Sequence, residues 1–355
     1  MVDEKSPMLP PNVDLETKAI LKQVALSNRA LAELKGYADT IPNKKMLINA
    51  VLINEAKDSS AVENIVTTHD DIYRAMSSEK YGSPEAKEVM NYRAALWHGY
   101  ENVKENEILT TNAIIEIQSI LEKNGAGIRK LPDNILRNES TGETVYTPPV
   151  SEREIIELLS NLEKYVNIDD DSINPLIKLA VIHYQFESIH PFYDDNGRTG
   201  RIINVLYLVL KCLIDTPIVY LSKYIIKNKD EYYKLLQEVH NNKWEEWVIY
   251  ILKAVEETSL ETLEMVKKIN NEIEKTRLEI KKELPKIYSK KLIELLFYEF
   301  YTKTVYIQEG LSVTRKTAVS YLAALEEKGF ISSEKIGKER IYQNKQLYEL
   351  VKSFE

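Results

Sequence analysis

Residues 190–201 read HPFYDDNGRTGR, set between the apolar runs KLAVIHYQFESI and IINVLYLVL. His190 is the one group in that stretch whose ordinary pKa lies near neutrality, so it can take a proton from an attacking hydroxyl. Asp194 is a hard oxygen ligand of the kind magnesium prefers. Asn196 and Gly197 stand just ahead of a helix expected to begin near Arg198. A helix N-terminus carries unpaired N–H groups and a partial positive charge, which makes it a ready anion site. Gly197 lets the backbone approach a ligand closely. Arg198 and Arg201, three apart on one helix face, can fork onto phosphate oxygens. Base, metal ligand, anion cradle and paired arginines together point to phosphoryl or nucleotidyl transfer. No GxxxxGK(S/T) run occurs, so a P-loop enzyme is excluded. A polar loop that only caps two helices accounts for any one of these residues, not for all of them in one dozen.

The elements that must hold this loop are mostly helical by periodicity. Extended character gathers in two places. Residues 127–149, GIRKLPDNILRNESTGETVYTPP, form two pieces about Ser140, Thr141 and Gly142, closed by Pro148 and Pro149. Residues 329–343, GFISSEKIGKERIYQ, place Ile331, Ile336 and Ile341 about a turn at Gly337. The expected division is a helical region over 1–95, a helical core over 96–255, a connector helix over 256–285 ending at Pro285, and a small terminal domain over 286–355. The net charge of -8 gives no global attraction to nucleic acid or an anionic membrane. The lone Cys212 excludes an internal disulfide, and its setting in VLYLVLKCLI predicts a buried thiol. The start, MVDEKSPMLPPN, does not read as a signal peptide, and the apolar run from Ile202 to Ile214 is too short to span a bilayer. A cytoplasmic protein with no membrane partner is expected.

HPFYDDNGRTGR resembles the active-site motif of the Fic family, HPFx(D/E)GNGRxxR, with one departure: Asp195 stands where the family usually has glycine. Residues 11–75, 127–149 and 217–250 resemble the family's N-terminal helical region, its flap hairpin and a later part of its core. The resemblance implies a mainly α fold: a helical Fic-type core with a β-hairpin flap, a helical N-terminal region and a winged-helix-like C-terminal domain. It implies AMP transfer from ATP, with Mg2+, to a Ser, Thr or Tyr hydroxyl of a target protein or of the chain itself. By position, His190 would be the base and Asp194 the magnesium ligand. Asn196 and Gly197 would hold phosphates through backbone and side-chain donors. Arg198 would contact the β and γ phosphates, Arg201 the γ phosphate, and Phe192 would anchor the loop. The nucleotide site as a whole would run through Asp195, Thr199 and Gly200 as well. Aspartate tolerates left-handed backbone better than most residues, so the loop survives Asp195. Its added charge either weakens nucleotide binding or helps hold the metal.

SSAVEN, residues 59–64, has two readings. One is a capping box in which Ser60 starts a helix and Glu63 reaches back to it. The other is the family's inhibitory pattern (S/T)xxxE(G/N), carried by Ser59, Glu63 and Asn64, which implies that Glu63 pairs with Arg201. That pairing would occupy the phosphate clamp. The flap around Thr144, Val145, Tyr146 and Thr147 would align a target main chain by strand addition. Tyr232 and Tyr233 would line an adenine pocket, with core packing as the other reading. His240 falls where some relatives carry a base-contacting asparagine, and His183 reads as a packed histidine.

Residues 286–345 hold eleven Lys or Arg against seven Asp or Glu. In TRKTAVSYLAALEEKGF, Thr314 caps a helix, and Ala318, Leu322 and Leu325 form its buried stripe. Arg315, Lys316, Thr317 and Ser320 face outward where a recognition helix reads a groove, with Gly337 to Arg340 as a wing. So small a charge surplus supports only weak, non-specific DNA binding. The competing functions are therefore a nucleotide-sensing DNA-binding regulator and a Fic enzyme that transfers another phosphoryl-containing group. A homodimer is one assembly the sequence leaves open.

Overall fold

The structure, a computed structural model, describes residues 8–41, 44–77, 82–131, 136–137, 144–168, 173–336 and 339–354. It is mainly helical, as expected. α1 (Lys18–Asp39), α2 (Lys44–Val62) and α3 (His69–Ser77) lead into α4 (Pro84–Asn106) and α5 (Thr111–Glu122). A short hairpin of β1 (Leu136–Arg137) and β2 (Thr144–Tyr146) precedes α6 (Glu152–Asn167), α7 (Pro175–Ile189) and α8 (Asn196–Leu210). α9 (Ser222–Lys227), α10 (Lys229–Glu238) and the long α11 (Trp244–Glu283) follow. The expected turn residues Ser140, Thr141 and Gly142 lie outside the described residues, as does Gly337.

Helix starts follow local chemistry. Thr17, Ser83, Thr110, Ser151 and Asn174 each accept a backbone N–H of the first turn of α1, α4, α5, α6 and α7. Pro84 and Pro175 sit at the first helical positions, where a missing N–H costs nothing. α8 opens differently: its N-cap, Asp195, has φ 63° and makes no side-chain cap bond. α7 is buried from Leu176 to Ile189 and α8 along most of its length, so this pair is the centre of the core. The loop 190–195 is therefore held at both ends by the most enclosed helices of the chain.

α11 is one unbroken helix of 40 residues, so the expected junction at 255/256 falls inside it, and the one at 95/96 falls inside α4. Thr258, Thr262, Leu263, Val266 and Ile269, all beyond residue 255, are buried. Ser27 Oγ of α1 donates to the Leu252 carbonyl at 2.7 Å. The terminal unit runs α12 (Lys290–Tyr298), β3 (Tyr301–Lys303), α13 (Thr304–Leu311), α14 (Arg315–Glu327), β4 (Ser332–Ile336), β5 (Glu339–Gln343) and α15 (Lys345–Lys352). Its antiparallel sheet has the order β3-β5-β4. Thr314 caps α14, and Ala318, Leu322 and Leu325 are buried. This unit is bonded to the N-terminal helices: Asn49 of α2 donates to the Tyr298 carbonyl at 2.9 Å, and Tyr301 to the Met76 carbonyl at 2.6 Å. Arg93 of α4 bridges Asn49 at 3.0 Å and Glu299 at 2.5 Å.

Cys212 corrects one expectation. It is exposed, at φ 53°, because the chain leaves α8 at Lys211 and turns outward before the buried Ile214. An apolar run signals burial only while the helix continues. Among the described residues no helix is long and apolar enough to cross a membrane.

α2 is fastened from below by Glu55, which is 1% exposed. Its carboxyl takes the Tyr92 hydroxyl at 2.7 Å, the Ser222 hydroxyl at 2.5 Å and the Ser222 N–H at 3.2 Å. Burial pushes this carboxyl up from 4.5 to about 7, against those hydrogen bonds. A carboxyl raised on folding holds its proton in the native state while the unfolded chain has lost it. The stability it contributes is complete below pH 4.5 and is lost as pH rises through about 7. Glu55→Gln removes that titration while keeping shape. Urea unfolding at pH 5 and pH 8 should show a smaller loss of stability in the variant than in the parent.

Candidate active site

The site forms where the end of α2 meets the start of α8. α2 stops at Val62 in a Schellman turn: the Asn64 N–H donates to the Ala61 carbonyl and the Ile65 N–H to the Ser60 carbonyl, both at 3.0 Å. Asn64 takes the left-handed conformation this requires, φ 63°. That is why Asn or Gly follows the glutamate: a β-branched residue would resist the turn. SSAVEN thus ends a helix rather than starting one, and the capping-box reading fails. Ser60 is buried in the last turn, with no first turn to cap.

The turn projects Glu63 onto the start of α8. Its carboxylate accepts Arg201 Nη2 at 2.8 Å, and Ser59 supplies Oγ to Arg201 Nε at 2.8 Å and its carbonyl to Nη2 at 2.9 Å. Arg201 is 1% exposed, while the Glu63 side chain keeps 35%. A carbon placed on Gly197 would collide with Glu63 Oε1, so only glycine leaves room for that carboxylate over the helix N-terminus. An anion already stands where the helix dipole and N–H groups favour one.

The two motif arginines diverge instead of clamping one partner. Arg198 Nε donates to Asp195, Nη1 lies 3.1 Å from Glu88 and Nη2 3.6 Å from Glu122. Burial opposes the Arg198 charge, and the carboxylates of Asp195 and Glu88 hold its pKa above the ordinary value. Burial likewise pushes the Asp195 carboxyl up to about 7, with the Glu122 side chain adding to the rise and Arg198 opposing it. Asp195 therefore does more than tolerate a left-handed position: it captures Arg198. One of its oxygens, Oδ2, is buried without a hydrogen-bond partner.

That orphan oxygen bears on the metal. Carboxylate oxygens of Glu122, Asp194 and Asp195 lie within 4.8 Å of one another, and Asp194 is exposed. Hard oxygen donors beside an unsatisfied buried oxygen fit a magnesium ion.

Asn196 uses its side chain within the loop: Oδ1 accepts the Phe192 N–H and Nδ2 donates to the Phe192 carbonyl, both at 2.9 Å. Its main-chain N–H stands in the first turn of α8. Phe192, the expected anchor of the loop, is fully buried. Thr199 and Gly200 are buried, and a carbon on Gly200 would lie 2.5 Å from Glu187 Oε1, so Gly200 leaves room for that carboxyl. Glu187 was not visible as a site residue. Its carboxyl is pushed up to about 7 by burial, against the pull of Arg201.

His190 caps α7 at φ 47°, its N–H on the Phe186 carbonyl at 3.1 Å. Burial, then the positive charge of Arg129, lower its imidazole to about 4. It is thus neutral at neutral pH and able to accept a proton. His183 is fully buried, its Nε2 2.9 Å from the Tyr232 hydroxyl, and stacks on Trp247. The packed reading holds for His183. Tyr232 is 2% exposed within that aromatic core, whereas its neighbour Tyr233 is 38% exposed. His240 Nδ1 is 3.0 Å from the Tyr184 hydroxyl. On the flap, Leu136 pairs with Tyr146 and Arg137 with Thr144, and Thr147 is exposed.

A helix pair presenting HPFxD–NGRxxR at its turn, met by a glutamate from a preceding helix, defines a class. Residues 108–208 match the family described as Fic/DOC family, 21–101 its N-terminal region, and 273–347 the C-terminal domain of protein adenylyltransferase SoFic-like proteins. The chain belongs to the Fic family. It is 28% identical over 109 residues, 30% of this chain and 20% of the relative, to protein adenylyltransferase fic-1 of Caenorhabditis elegans. It is 23% identical to protein adenylyltransferase Fic of Nematostella vectensis across 62% of this chain and 51% of that one. The chain thus spans a fifth to a half of these relatives' length. A Fic family protein from Desulfovibrio desulfuricans G20 shares the fold with TM-score 0.59 and 19% identity, covering 94% of this chain and 98% of that one. Fic-1 (residues 134–508) from C. elegans does so with TM-score 0.55 and 20% identity, over 70% and 74%.

Asp195→Gly should free Arg198 from its innermost carboxylate. Isothermal titration with ATP in the Glu63→Gly background is expected to show binding tighter by about threefold to tenfold, the effect of one charge-assisted contact. Unchanged affinity would mean that Asp195 does not compete with phosphate.

Proposed function

We propose that this chain transfers AMP from ATP to a protein hydroxyl and is restrained by Glu63. The observation that carries the reading is the carboxylate of Glu63 on Arg201, over Gly197, at the N-terminus of α8. A triphosphate seeking the same donors must displace it. The adenylyltransferase names of the relatives support the reaction class.

In this reading ATP lays its phosphates along the start of α8, with the main chain of Asn196 and Gly197 and the side chains of Arg198 and Arg201 as donors. Asp194, with Glu122 and Asp195 beside it, would hold magnesium, which supplies charge neutralisation to the phosphates when bound. His190, kept neutral, takes the proton of the target hydroxyl as that oxygen attacks the α phosphorus and pyrophosphate departs. The edge of β2 aligns an extended target segment. Tyr233 offers the adenine an exposed ring. The target is a protein, the chain itself included.

A second reading, a nucleotide-sensing regulator that binds DNA weakly, is favoured by the exposed Arg315 and Lys316 at the start of α14. The two readings part on one experiment. Intact-mass analysis after incubation with ATP and Mg2+ should show added AMP in Glu63→Gly, at least severalfold more than in the parent. Adding His190→Ala should abolish it. A folded Glu63→Gly protein that gains no mass refutes the transfer; a different mass identifies another transferred group.

A further inference from the structure

Arg129 belongs to no motif, yet it is 1% exposed and spends its guanidinium on the main chain around His190. Its Nε donates to the His190 carbonyl at 2.7 Å. Its Nη2 donates to the Pro149 carbonyl at 2.5 Å and reaches the Ile189 carbonyl at 3.4 Å. Its own N–H donates to the Pro191 carbonyl at 2.9 Å. One residue thus holds carbonyls at 189, 190 and 191, the end of α7 and the start of the loop, together with the residue that closes the flap segment. The next residue continues the seam: the Lys130 N–H donates to the Tyr193 hydroxyl at 2.9 Å.

Two physical demands meet here. The end of α7 exposes carbonyls and the negative end of the helix dipole, both satisfied by a cation. His190 is a side-chain-bearing residue at φ 47°, a conformation that persists only where surroundings hold it. A planar guanidinium with several fixed donors suits that task better than an ammonium.

We propose that Arg129 is a positioning residue for the base: it locks the main chain of His190 and ties it to the exit of the target-binding flap through Pro149. This rests on the reading of His190 as the proton acceptor. The charge of Arg129 acts in the same direction. It is the strongest influence after burial in keeping the imidazole neutral, while Glu63 and Asp194 pull the other way. The flap, which takes the target, and His190, which takes the target's proton, are thereby set on one rigid mount.

The test uses the full chain with Glu63→Gly and compares Arg129→Lys and Arg129→Gln. Lysine keeps the charge but cannot reach the Pro149 and His190 carbonyls together. Expected for Arg129→Lys are amide exchange over residues 189–193 faster by about tenfold, exchange in α11 unchanged, and kcat for self-modification lower by about tenfold with KM for ATP within about threefold. Arg129→Gln should show the same loss of kcat. In addition, its His190 imidazole, read by NMR and assigned with His190→Ala, should titrate upward by about one pH unit, a shift that lysine reverses. Parental exchange over 189–193 in Arg129→Lys overturns the proposal, whether or not the glutamine variant folds. If the Glu63→Gly parent transfers no AMP, the functional reading fails by itself, and exchange and titration still decide the role of Arg129.

Discussion

A buried guanidinium needs an anion, and at Arg201 the structure offers one place for it. The helix N-terminus of α8, the bare face of Gly197 and the Ser59 oxygens converge on that place, and Glu63 occupies it. Removing a charge from water is costly unless it is paired and hydrogen-bonded. The pairing with Glu63 therefore offsets the cost of burying Arg201. Two further features serve that pairing: Asn64 turns the chain so that Glu63 arrives, and Gly197 leaves the space it fills.

The two halves of this contact differ in freedom. Arg201 is enclosed on α8, whereas a third of the Glu63 side chain faces solvent. Rotating that side chain breaks one ion pair. Withdrawing α2 would break the three hydrogen bonds of Glu55 and the Asn49 bond to the Tyr298 carbonyl, and would expose a helix whose buried residues run from Leu47 to Val62. The contact is built so that its tip moves more cheaply than its stem. The terminal unit takes part in that stem, since it grips α2 at Asn49 and α3 through the Tyr348 hydroxyl on Asp70.

Asp195 shows how one letter can redirect a site. A glycine at the N-cap of α8 would leave Arg198 to face Glu88 and Glu122. With aspartate there, a second buried arginine is paired inside the protein, three residues before the first. Left-handed backbone tolerates the substitution, so its effect is electrostatic rather than conformational.

The meeting of Glu63 with Arg201, 138 positions apart, was legible only through the family resemblance of SSAVEN. The sequence alone determined the helical class, the loop between two buried helices, and the histidine and carboxylates which that loop carries. Each is written in residue type at short spacing, and short spacing survives any detail of packing. What lay beyond it depended on contacts across long separations. Arg129 and His190 are 61 positions apart and Arg198 and Glu88 110 apart, and no local pattern announces either pair. Periodicity placed Arg198 and Arg201 on one face, yet they reach different carboxylates because their neighbours come from different helices. The capping-box reading of Ser60 and the buried reading of Cys212 fail for a related reason: the same local letters suit a helix start or a helix end, a buried run or the turn that leaves it. Only the tertiary structure chooses between them, since it decides which backbone groups still need partners and which side chains have room.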